Sequence, residues 1–254
     1  MAITIKSERE IELMAEAGKI LERVHNELEK ALHPGMSTKD IDTLGEEIIR
    51  SYGCIPSFLN YNGYPASICV SVNQEVVHGI PDKHRLIQDG DIVSLDAGVI
   101  YKGYHSDAAR TYGVGEISKE AKNLMQITKE CFFEGIKYAR EGNHLFDISG
   151  AIGRYAEERG YGVVRDLCGH GIGTALHEAP EIPNYEVGRK GVKLRPGMTL
   201  AIEPMINIGT YEVDWLDDDW TVVTRDGSLS AHYENTILIT EGEPRILSLT
   251  CDNE

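Results

Sequence analysis

The segment Asp91–Tyr112, DIVSLDAGVIYKGYHSDAARTY, decides the fold. Its apolar and β-branched residues favour two β-strands that are joined around Lys102 and Gly103. A loop of those two residues places Tyr101 opposite Tyr104 and thereby sets the register of the antiparallel pair. The segment therefore predicts a long β-hairpin.

Two carboxylates, Asp96 and Asp107, lie on the two strands of this hairpin. In the predicted register Asp107 faces Gly98, so the two acids are diagonal neighbours on one face, about 7 to 8 Å apart along the backbone. A shift of one residue would put them on opposite faces. An unpaired charge is costly inside the apolar run around Asp96. The pattern favours a functional role for this acid over a structural one.

The first strand of the hairpin has a counterpart 107 residues further along the chain. Gly90 corresponds to Gly197 and Asp96 to Glu203, so that an acid ends an apolar strand in both places. Such a match indicates an internal repeat. A chance similarity between short α/β segments is the alternative.

Helices and further strands surround this core. Four helices are expected: from Ser7 to about Leu28, from Ser37 to about Gly53, Glu116–Arg140 and Gly142–Arg159. Four further strands are expected: Ser67–Val77, Met198–Ile208, Trp220–Arg225 and Ser228–Thr240. The last two of these strands are expected to form a hairpin. The chain of 254 residues is long enough to bury one large core. We expect an α+β fold with one domain, 1–254, whose pseudo-symmetric halves, about 1–115 and 116–254, face a central cleft.

The stretch Cys168–Pro180, CGHGIGTALHEAP, brings two histidines, His170 and His177, close to three glycines. Glycine allows close backbone approach. Packing would explain either histidine alone. The spacing of the two does not distinguish a pair of metal ligands from a glycine-rich strand turn.

Four acids on predicted strands, Asp96, Asp107, Glu203 and Glu234, are the candidates for a metal centre together with His170. If they converge, each pair of carboxylates about 4 Å apart repels by about 4 kcal/mol at an effective dielectric constant of 20. Such a cluster must take up protons or divalent cations. Two metal ions would balance the four charges, and two metals can activate a hydroxide and polarise a carbonyl, as amide hydrolysis requires.

His78 and His177 are placed to enter the same cleft as hydrogen-bond donors to a developing oxyanion or a leaving amide. The other histidines are expected to be ordinary surface or satisfied core residues: His25, His33, His84, His105, His144 and His232. The acidic run within Gly209–Trp220 is expected to be a solvated hairpin loop.

Composition limits the possible partners. The net charge of −16 argues against DNA and anionic membranes and suits a cationic substrate or bound metals. Five scattered cysteines without a C-x-x-C pair indicate reduced thiols. No apolar signal core and no membrane-length apolar stretch is found. These features predict a cytoplasmic protein.

Several motifs together resemble the type I methionine aminopeptidases of peptidase family M24. They cover essentially the whole chain: YNGYP at Tyr61–Pro65, NQEVVHGIP at Asn73–Pro81, LDAGV at Leu95–Val99, the CGHGIG stretch with its HEAP end, IEPM at Ile202–Met205 and YENTI at Tyr233–Ile237. The ligand pattern alone is shared with prolidases and Xaa-Pro aminopeptidases. The resemblance implies the pita-bread fold and removal of the initiator methionine before a small second residue.

The resemblance also implies roles for individual residues. The five candidate ligands would hold two divalent metals (cobalt, manganese, iron, zinc or nickel), and Glu203 would in addition transfer protons. His177 would contact the substrate carbonyl and His78 the nitrogen of the scissile amide. Other residues would form the methionine pocket: Phe58, Tyr61, Tyr64, Cys69, Leu176 and Trp220. A monovalent cation is expected near Asn73, Glu75 and Ser230.

The expected partner is the N-terminal methionine of nascent polypeptides, with transient ribosome association. The start of the chain at the catalytic domain favours a monomer. Two alternatives stay open: a proline-directed peptidase with the same fold, and a non-catalytic protein that uses the cleft to hold a peptide.

Overall fold

The computed structural model describes residues 3–249. Four α-helices, each close to its predicted bounds, occur in this range: α1 Glu8–Ala31, α2 Thr38–Ser51, α3 Lys119–Ile136 and α4 Leu145–Glu157. A capping box begins α1: the side chain of Glu10 accepts the backbone N–H of Ser7 at 2.7 Å. A second capping box at Ser37 begins α2. Local side-chain caps therefore set where both helices start.

The strands are short, apart from two that form the predicted hairpin. In chain order they are β1 Ile55–Pro56, β2 Ile68–Val72, β3 Glu75–Val77, β4 Ile92–Tyr101, β5 Tyr104–Gly113, β6 Gly162–Val163, β7 Gly169–Gly171, β8 Glu178–Ile182, β9 Thr199–Ile202, β10 Met205–Asn207, β11 Val213–Trp215, β12 Val222–Thr224, β13 Ser230–His232, β14 Asn235–Leu238 and β15 Arg245–Ile246. One turn of 3₁₀ helix covers Tyr61–Gly63.

The β4–β5 hairpin has the predicted register. Tyr101 pairs with Tyr104, and Gly98 pairs with Asp107. Lys102 and Gly103 both have positive φ, 49° and 86°, as a two-residue turn of this kind requires. The hairpin belongs to a sheet in which β4 also pairs with β1 and β2.

Three predicted strands are each divided in two. Asn73, with φ of 58°, turns the chain between β2 and β3. The segment from β9 to β10 breaks at Glu203 and Pro204, and the segment from β13 to β14 breaks at Tyr233 and Glu234. At both of these breaks the chain passes between the same two sheets, β13–β10–β6 and β15–β14–β9–β7–β8. Two candidate ligands thus lie at crossover points.

The predicted hairpin between Trp220–Arg225 and Ser228–Thr240 is wrong. Strand β12 pairs with β11 and β3, whereas β13 pairs with β10. Three acids of the run, Asp217, Asp218 and Asp219, lie in the loop between β11 and β12 as expected, whereas Asp214 lies within β11. Asp218 accepts the backbone N–H groups of Trp220 and Thr221 at 2.8 and 2.7 Å, so the loop brings β12 back onto β11.

Two helix pairs cover two halves of the core. Helices α1 and α2 pack on β2, β4 and β5 through residues such as Leu21, Ile49 and Val93. Helices α3 and α4 pack on β9, β10 and β14 through Phe132, Ile152 and others. Helices against antiparallel sheets make an α+β fold, as predicted. No helix within residues 3–249 has the length and apolar content that crossing a membrane requires.

We propose that the halves, about 1–115 and 116–254, are an internal repeat. In the first half β1 pairs with β4, with Pro56 opposite Val99. In the second half β6 pairs with β10, with Val163 opposite Ile206. Both partners of the second pair lie 107 residues after those of the first, the offset found in the sequence. This correspondence of pairing supports the repeat.

Candidate active site

A single cavity of about 170 Å³ is lined by every residue predicted for the metal centre and the substrate pocket. Its acidic wall comes from four places in the fold. Asp96 and Asp107 come from the hairpin, His170 from β7, and Glu203 and Glu234 from the two crossover points. Residues far apart in sequence converge here because the sheets carrying them meet at this cavity.

The acids and His170 lie at distances that suit shared metal ions. Nε2 of His170 is 3.9 Å from Oδ2 of Asp107 and 3.6 Å from Oε1 of Glu203. Ligand atoms of Asp107, His170 and Glu234 all lie within 4.8 Å of one another. Because metal–ligand bonds are about 2.0 to 2.2 Å long, one ion can reach all three. Asp96 pairs with Ala109, which makes it the diagonal neighbour of Asp107.

Burial makes this carboxylate cluster resist ionisation. It raises the pKa of Asp96 to about 7. Burial and then the neighbouring carboxylates raise the pKa values of Asp107, Glu203 and Glu234 well above the usual range. Within residues 3–249, Asp96 Oδ1, Asp107 Oδ1 and Glu234 Oε1 are buried without a hydrogen-bond partner. Unsatisfied carboxylate oxygens of this kind fit divalent cations, which would supply both charge and ligation.

His170 presents a lone pair to the acids. Its Nδ1–H donates to the carbonyl oxygen of Gly171 at 2.9 Å, since a carbonyl can only accept. Nε2 is therefore free of its proton in the neutral ring. Burial, followed by the influence of His177, lowers the pKa of His170 to about 3, which keeps the ring neutral. A neutral imidazole oriented through its other nitrogen is the usual form of a metal-binding histidine.

His177 lies against both the metal site and the apolar pocket. Its ring centroid is 4.2 Å from that of His170. The hydroxyl of Tyr61 is 2.7 Å from Nδ1 of His177, and burial lowers the pKa of His177. A donating tyrosine hydroxyl assigns the proton of the neutral ring to Nε2. His177 can thus donate a hydrogen bond from Nε2.

His78 follows β3 in a left-handed backbone conformation, with φ of 59°. Its ring lies edge-on to Trp220, with centroids 6.3 Å apart. Burial, then the nearby His177, lowers its pKa to about 4. A non-glycine residue in this conformation is uncommon and is often found at functional sites.

The apolar wall of the cavity contains all six predicted pocket residues: Phe58, Tyr61, Tyr64, Cys69, Leu176 and Trp220. Asn62 also lines it. The hydroxyl of Tyr64 donates to the carbonyl oxygen of Gly79 at 2.9 Å, and its ring contacts that of Trp220 at 5.1 Å between centroids. The side chain of Tyr64 is therefore held in place by a hydrogen bond to the backbone and by contact with the neighbouring indole ring. Of the predicted reduced thiols, Cys54, Cys69, Cys131 and Cys168 are free, and Cys251 lies outside the described residues.

His232 was expected to be an ordinary histidine, but the structure places it behind the acidic wall. Its Nε2 is 3.9 Å from Oε2 of Glu203 and 4.0 Å from Oε2 of Glu234. It is only 2% exposed, and neither ring nitrogen has a hydrogen-bond partner among the described residues. Its position two residues before Glu234 was the available signal. His25, by contrast, is satisfied, since its Nε2–H donates to Ala108 O at 2.9 Å.

Comparison with known proteins agrees with this geometry. The sequence model described as metallopeptidase family M24 matches residues 12–241. The chain belongs to metallopeptidase family M24. Its resemblance to that family in sequence motifs is thereby confirmed.

Individual M24 relatives refine the comparison. A methionine aminopeptidase of Clostridium acetobutylicum is 56% identical over 247 residues, which is 97% of this chain and 99% of that protein. The crystal structure of a methionine aminopeptidase from Thermotoga maritima has a TM-score of 0.96 at 46% identity and covers 98% of this chain and 100% of that one. An Xaa-Pro dipeptidase from Bacillus anthracis has a TM-score of 0.77 at 26% identity, covering 97% of this chain and 62% of that one. These likenesses confirm the pita-bread fold.

Proposed function

We propose that this M24 metallopeptidase is a methionine aminopeptidase that removes the initiator methionine when the second residue is small. The observation that carries the proposal is the meeting of an acidic, histidine-bearing wall and a wall of aromatic and thiol side chains in one cavity. The first wall suits hydrolysis of an amide, and the second suits a long, unbranched apolar side chain. Near relatives named methionine aminopeptidase support the same assignment.

The proposed cofactors are two divalent ions held by the five ligands: Asp96, Asp107, His170, Glu203 and Glu234. Mostly oxygen donors with one imidazole suit manganese, iron or cobalt, with zinc and nickel as further candidates. When bound, the ions polarise the scissile carbonyl and lower the pKa of water. The protein's own contribution is to keep the donors buried and fixed in position.

The histidines and Glu203 perform the remaining steps in this proposal. His177 donates a hydrogen bond from Nε2–H to the carbonyl oxygen as negative charge develops there. His78, on the Trp220 side of the cavity, contacts the nitrogen of the scissile amide. Glu203, which would be ionised with metal bound, takes a proton from the attacking water and passes it to the leaving amine.

Burial of the methionine side chain against Tyr64, Cys69, Leu176 and Trp220 supplies specificity. Apolar pockets separate side chains by only about 1 to 3 kcal/mol per methylene. Rejection of bulky second residues therefore has to be steric, at the edge of the cavity near His78 and His177.

The test is the release of methionine from the peptide Met-Ala-Ser. Activity should disappear on chelation and return with Mn²⁺ or Co²⁺. Glu203→Ala should be inactive, whereas Glu243→Ala, which alters an exposed acid on the surface, should retain full activity. Full metal-dependent activity in Glu203→Ala would refute the proposed chemistry.

The rival assignment is a proline-directed peptidase, favoured by the likeness to the Xaa-Pro dipeptidase. The same protein samples are assayed with Xaa-Pro peptides. Faster turnover of Xaa-Pro than of Met-Ala substrates would select the rival. A non-catalytic binding protein would hydrolyse neither substrate, even with metal bound.

A monovalent cation near Asn73, Glu75 and Ser230 is also proposed. The backbone N–H of Ser230 donates to the carbonyl oxygen of Asn73 at 2.9 Å, which brings these segments together. Glu75 is paired with Arg85, so the cation would depend on oxygens of Asn73 and Ser230. Dependence of the melting temperature on K⁺ or Na⁺ at constant ionic strength tests this site.

The proposed substrate also bears on location and partners. Nascent N-termini are made at ribosomes, which supports a cytoplasmic enzyme with transient ribosome association. The proposed oligomeric state is a monomer. Sedimentation of the purified protein with and without ribosomes measures both properties.

A further inference from the structure

The loop that carries Leu176 and His177 connects β7 to β8 and is only six residues long, 172–177. Its first residue is held to β9, because Ile172 donates to the carbonyl oxygen of Thr199 at 3.2 Å. The carbonyl oxygen of Gly173 accepts the backbone N–H of His105 at 2.8 Å. Glu178, the residue that follows the loop, holds the next two residues. Oε1 of Glu178 accepts the backbone N–H groups of Thr174 and Ala175 at 3.0 and 3.4 Å.

The other oxygen of Glu178 faces the N-terminal segment. Oε2 accepts from Nζ of Lys6 at 2.6 Å and from the hydroxyl of Thr4 at 2.7 Å. The side chains of Lys6 and Glu178 are 5% and 12% exposed, so the ion pair is buried. Burial alone would raise the pKa of Glu178, but hydrogen bonds from Lys6 and Thr4 and the Lys6 charge hold it below its usual value.

Both ends of this ion pair are fixed in place. The backbone N–H of Lys6 donates to the carbonyl oxygen of Gly197 at 2.8 Å, next to β9. Gly173 leaves room for the pair, because a Cβ there would lie 2.5 Å from Oε1 of Glu178 and 2.7 Å from Nζ of Lys6. The loop is thus built around the ion pair, and His177 is the residue adjacent to it.

We propose that Lys6 and Glu178 are positioning residues that hold the loop of His177 in its reactive geometry. The N-terminal segment 3–7 then acts as a strap across the back of the active site. The inference rests on the proposed role of His177, which contacts the substrate, while Lys6 acts on the reaction only through the loop.

The proposal predicts a kinetic effect that is separate from folding. Lys6→Met removes the cation and leaves the glutamate uncompensated, so the loop moves. A displacement of about 1 Å lowers kcat about 10- to 100-fold. KM for Met-Ala-Ser should rise as well, because the same loop carries Leu176 of the apolar pocket. The change in kcat is therefore the readout of the position of His177. Lys6→Arg, which keeps the charge, recovers most of the activity.

A matched control exists on α2. Lys39 pairs with the buried Asp42 at 2.5 Å, and Asp42 accepts the backbone N–H groups of Ser67 and Ile68. Lys39→Met breaks an ion pair with a buried acid away from the His177 loop, although Lys39 itself is half exposed, and should leave kcat of the folded, metal-loaded enzyme near that of the wild type. Thr4→Val removes one donor to Glu178 and provides a milder variant should Lys6→Met not fold.

The deciding experiment is a double-mutant cycle with His177→Ala, in which kcat is measured per folded, metal-loaded chain. The proposal predicts that Lys6→Met, or Thr4→Val to a smaller extent, lowers kcat in the wild-type background and has almost no further effect in His177→Ala. Equal effects in both backgrounds, or no effect in the wild type, would overturn it. If His177→Ala itself kept full activity, the proposed role of His177 would fail instead.

Discussion

The hydroxyl of Tyr61 lies 2.7 Å from Nδ1 of His177. This contact joins a residue of the apolar wall to a residue that faces the metal ligands. With the hydroxyl as the donor to Nδ1, the proton of the neutral imidazole is at Nε2, where the proposed mechanism needs a donor. Substrate pocket and reaction centre are therefore coupled through one hydrogen bond.

Tyr61→Phe should lower kcat for Met-Ala-Ser about 3- to 10-fold, which corresponds to the loss of one neutral hydrogen bond. The apolar ring remains, so KM should change little. Steady-state kinetics of the two proteins with the same metal content measure the split. A rise in KM with kcat unchanged would mean that Tyr61 acts only as pocket wall.

The backbone of His78 offers a second prediction. His78 has a φ of 59°. In this conformation the backbone of a residue with a Cβ is strained, whereas that of glycine is not. His78→Gly should therefore be more stable than His78→Ala by about 1 kcal/mol, although both lack the imidazole. Both should lose most activity. Urea unfolding of the two variants gives the difference, and a less stable His78→Gly would contradict strain at this position.

The methionine pocket predicts altered specificity in Leu176→Ala. Leu176 is 2% exposed and lines the cavity. Removing its side chain should lower kcat/KM for Met-Ala-Ser about 10- to 100-fold, since several methylene contacts are lost. Activity toward peptides that begin with a larger apolar residue should increase relative to methionine. An unchanged ratio between the two peptide classes would show that Leu176 does not set the pocket.

The stability of the metal-free protein should fall as pH rises from about 7 to 8. Unfolded histidines are half charged at about pH 6.5 and mostly neutral only above about pH 7, so the buried histidines with lowered pKa values oppose this trend at the lower end of the range and contribute little toward pH 8. Asp96 has a pKa of about 7 in the folded protein, and the pKa values of Asp107, Glu203 and Glu234 are also raised. These carboxyl groups therefore bind protons that the same groups have released in the unfolded chain. Unfolding then releases protons, so the free energy of unfolding decreases with pH.

Urea titrations at several pH values measure this slope. Each proton released contributes up to about 1.4 kcal/mol per pH unit. Glu234→Gln removes one carboxyl group with a raised pKa and should make the free energy of unfolding depend less steeply on pH. A free energy of unfolding that stays constant or rises between these pH values would mean that the carboxyls are ionised in the folded, metal-free protein.

The hairpin could be predicted from the sequence because its register depends on a local pattern, whereas the ligand set was inferred from assumed convergence and from the resemblance to family M24. A two-residue turn with Gly103 fixes the pairing of Gly98 with Asp107, and the energetic cost of burying an acid marks Asp96 as exceptional. These arguments need no knowledge of distant contacts.

The parts that the sequence did not reveal depend on which strands become neighbours. The breaks at Glu203 and Glu234 occur where the chain changes sheet, and the apolar pattern continues through both. The hairpin expected after Trp220 does not form, since β12 pairs with β11 and β3 and β13 pairs with β10. His232 appeared ordinary in sequence, since only the crossover brings it against Glu203.

The most direct measurement is the rate of methionine release from Met-Ala-Ser as a function of bound metal per chain. Metal-free protein is titrated with Mn²⁺ or Co²⁺, and activity and bound metal are determined in the same samples. The account predicts no release without metal, a rise that follows occupancy of the buried site, and neither binding nor activity at these concentrations in Asp107→Asn. Methionine release at full rate from metal-free protein, or metal binding without any release, would contradict it.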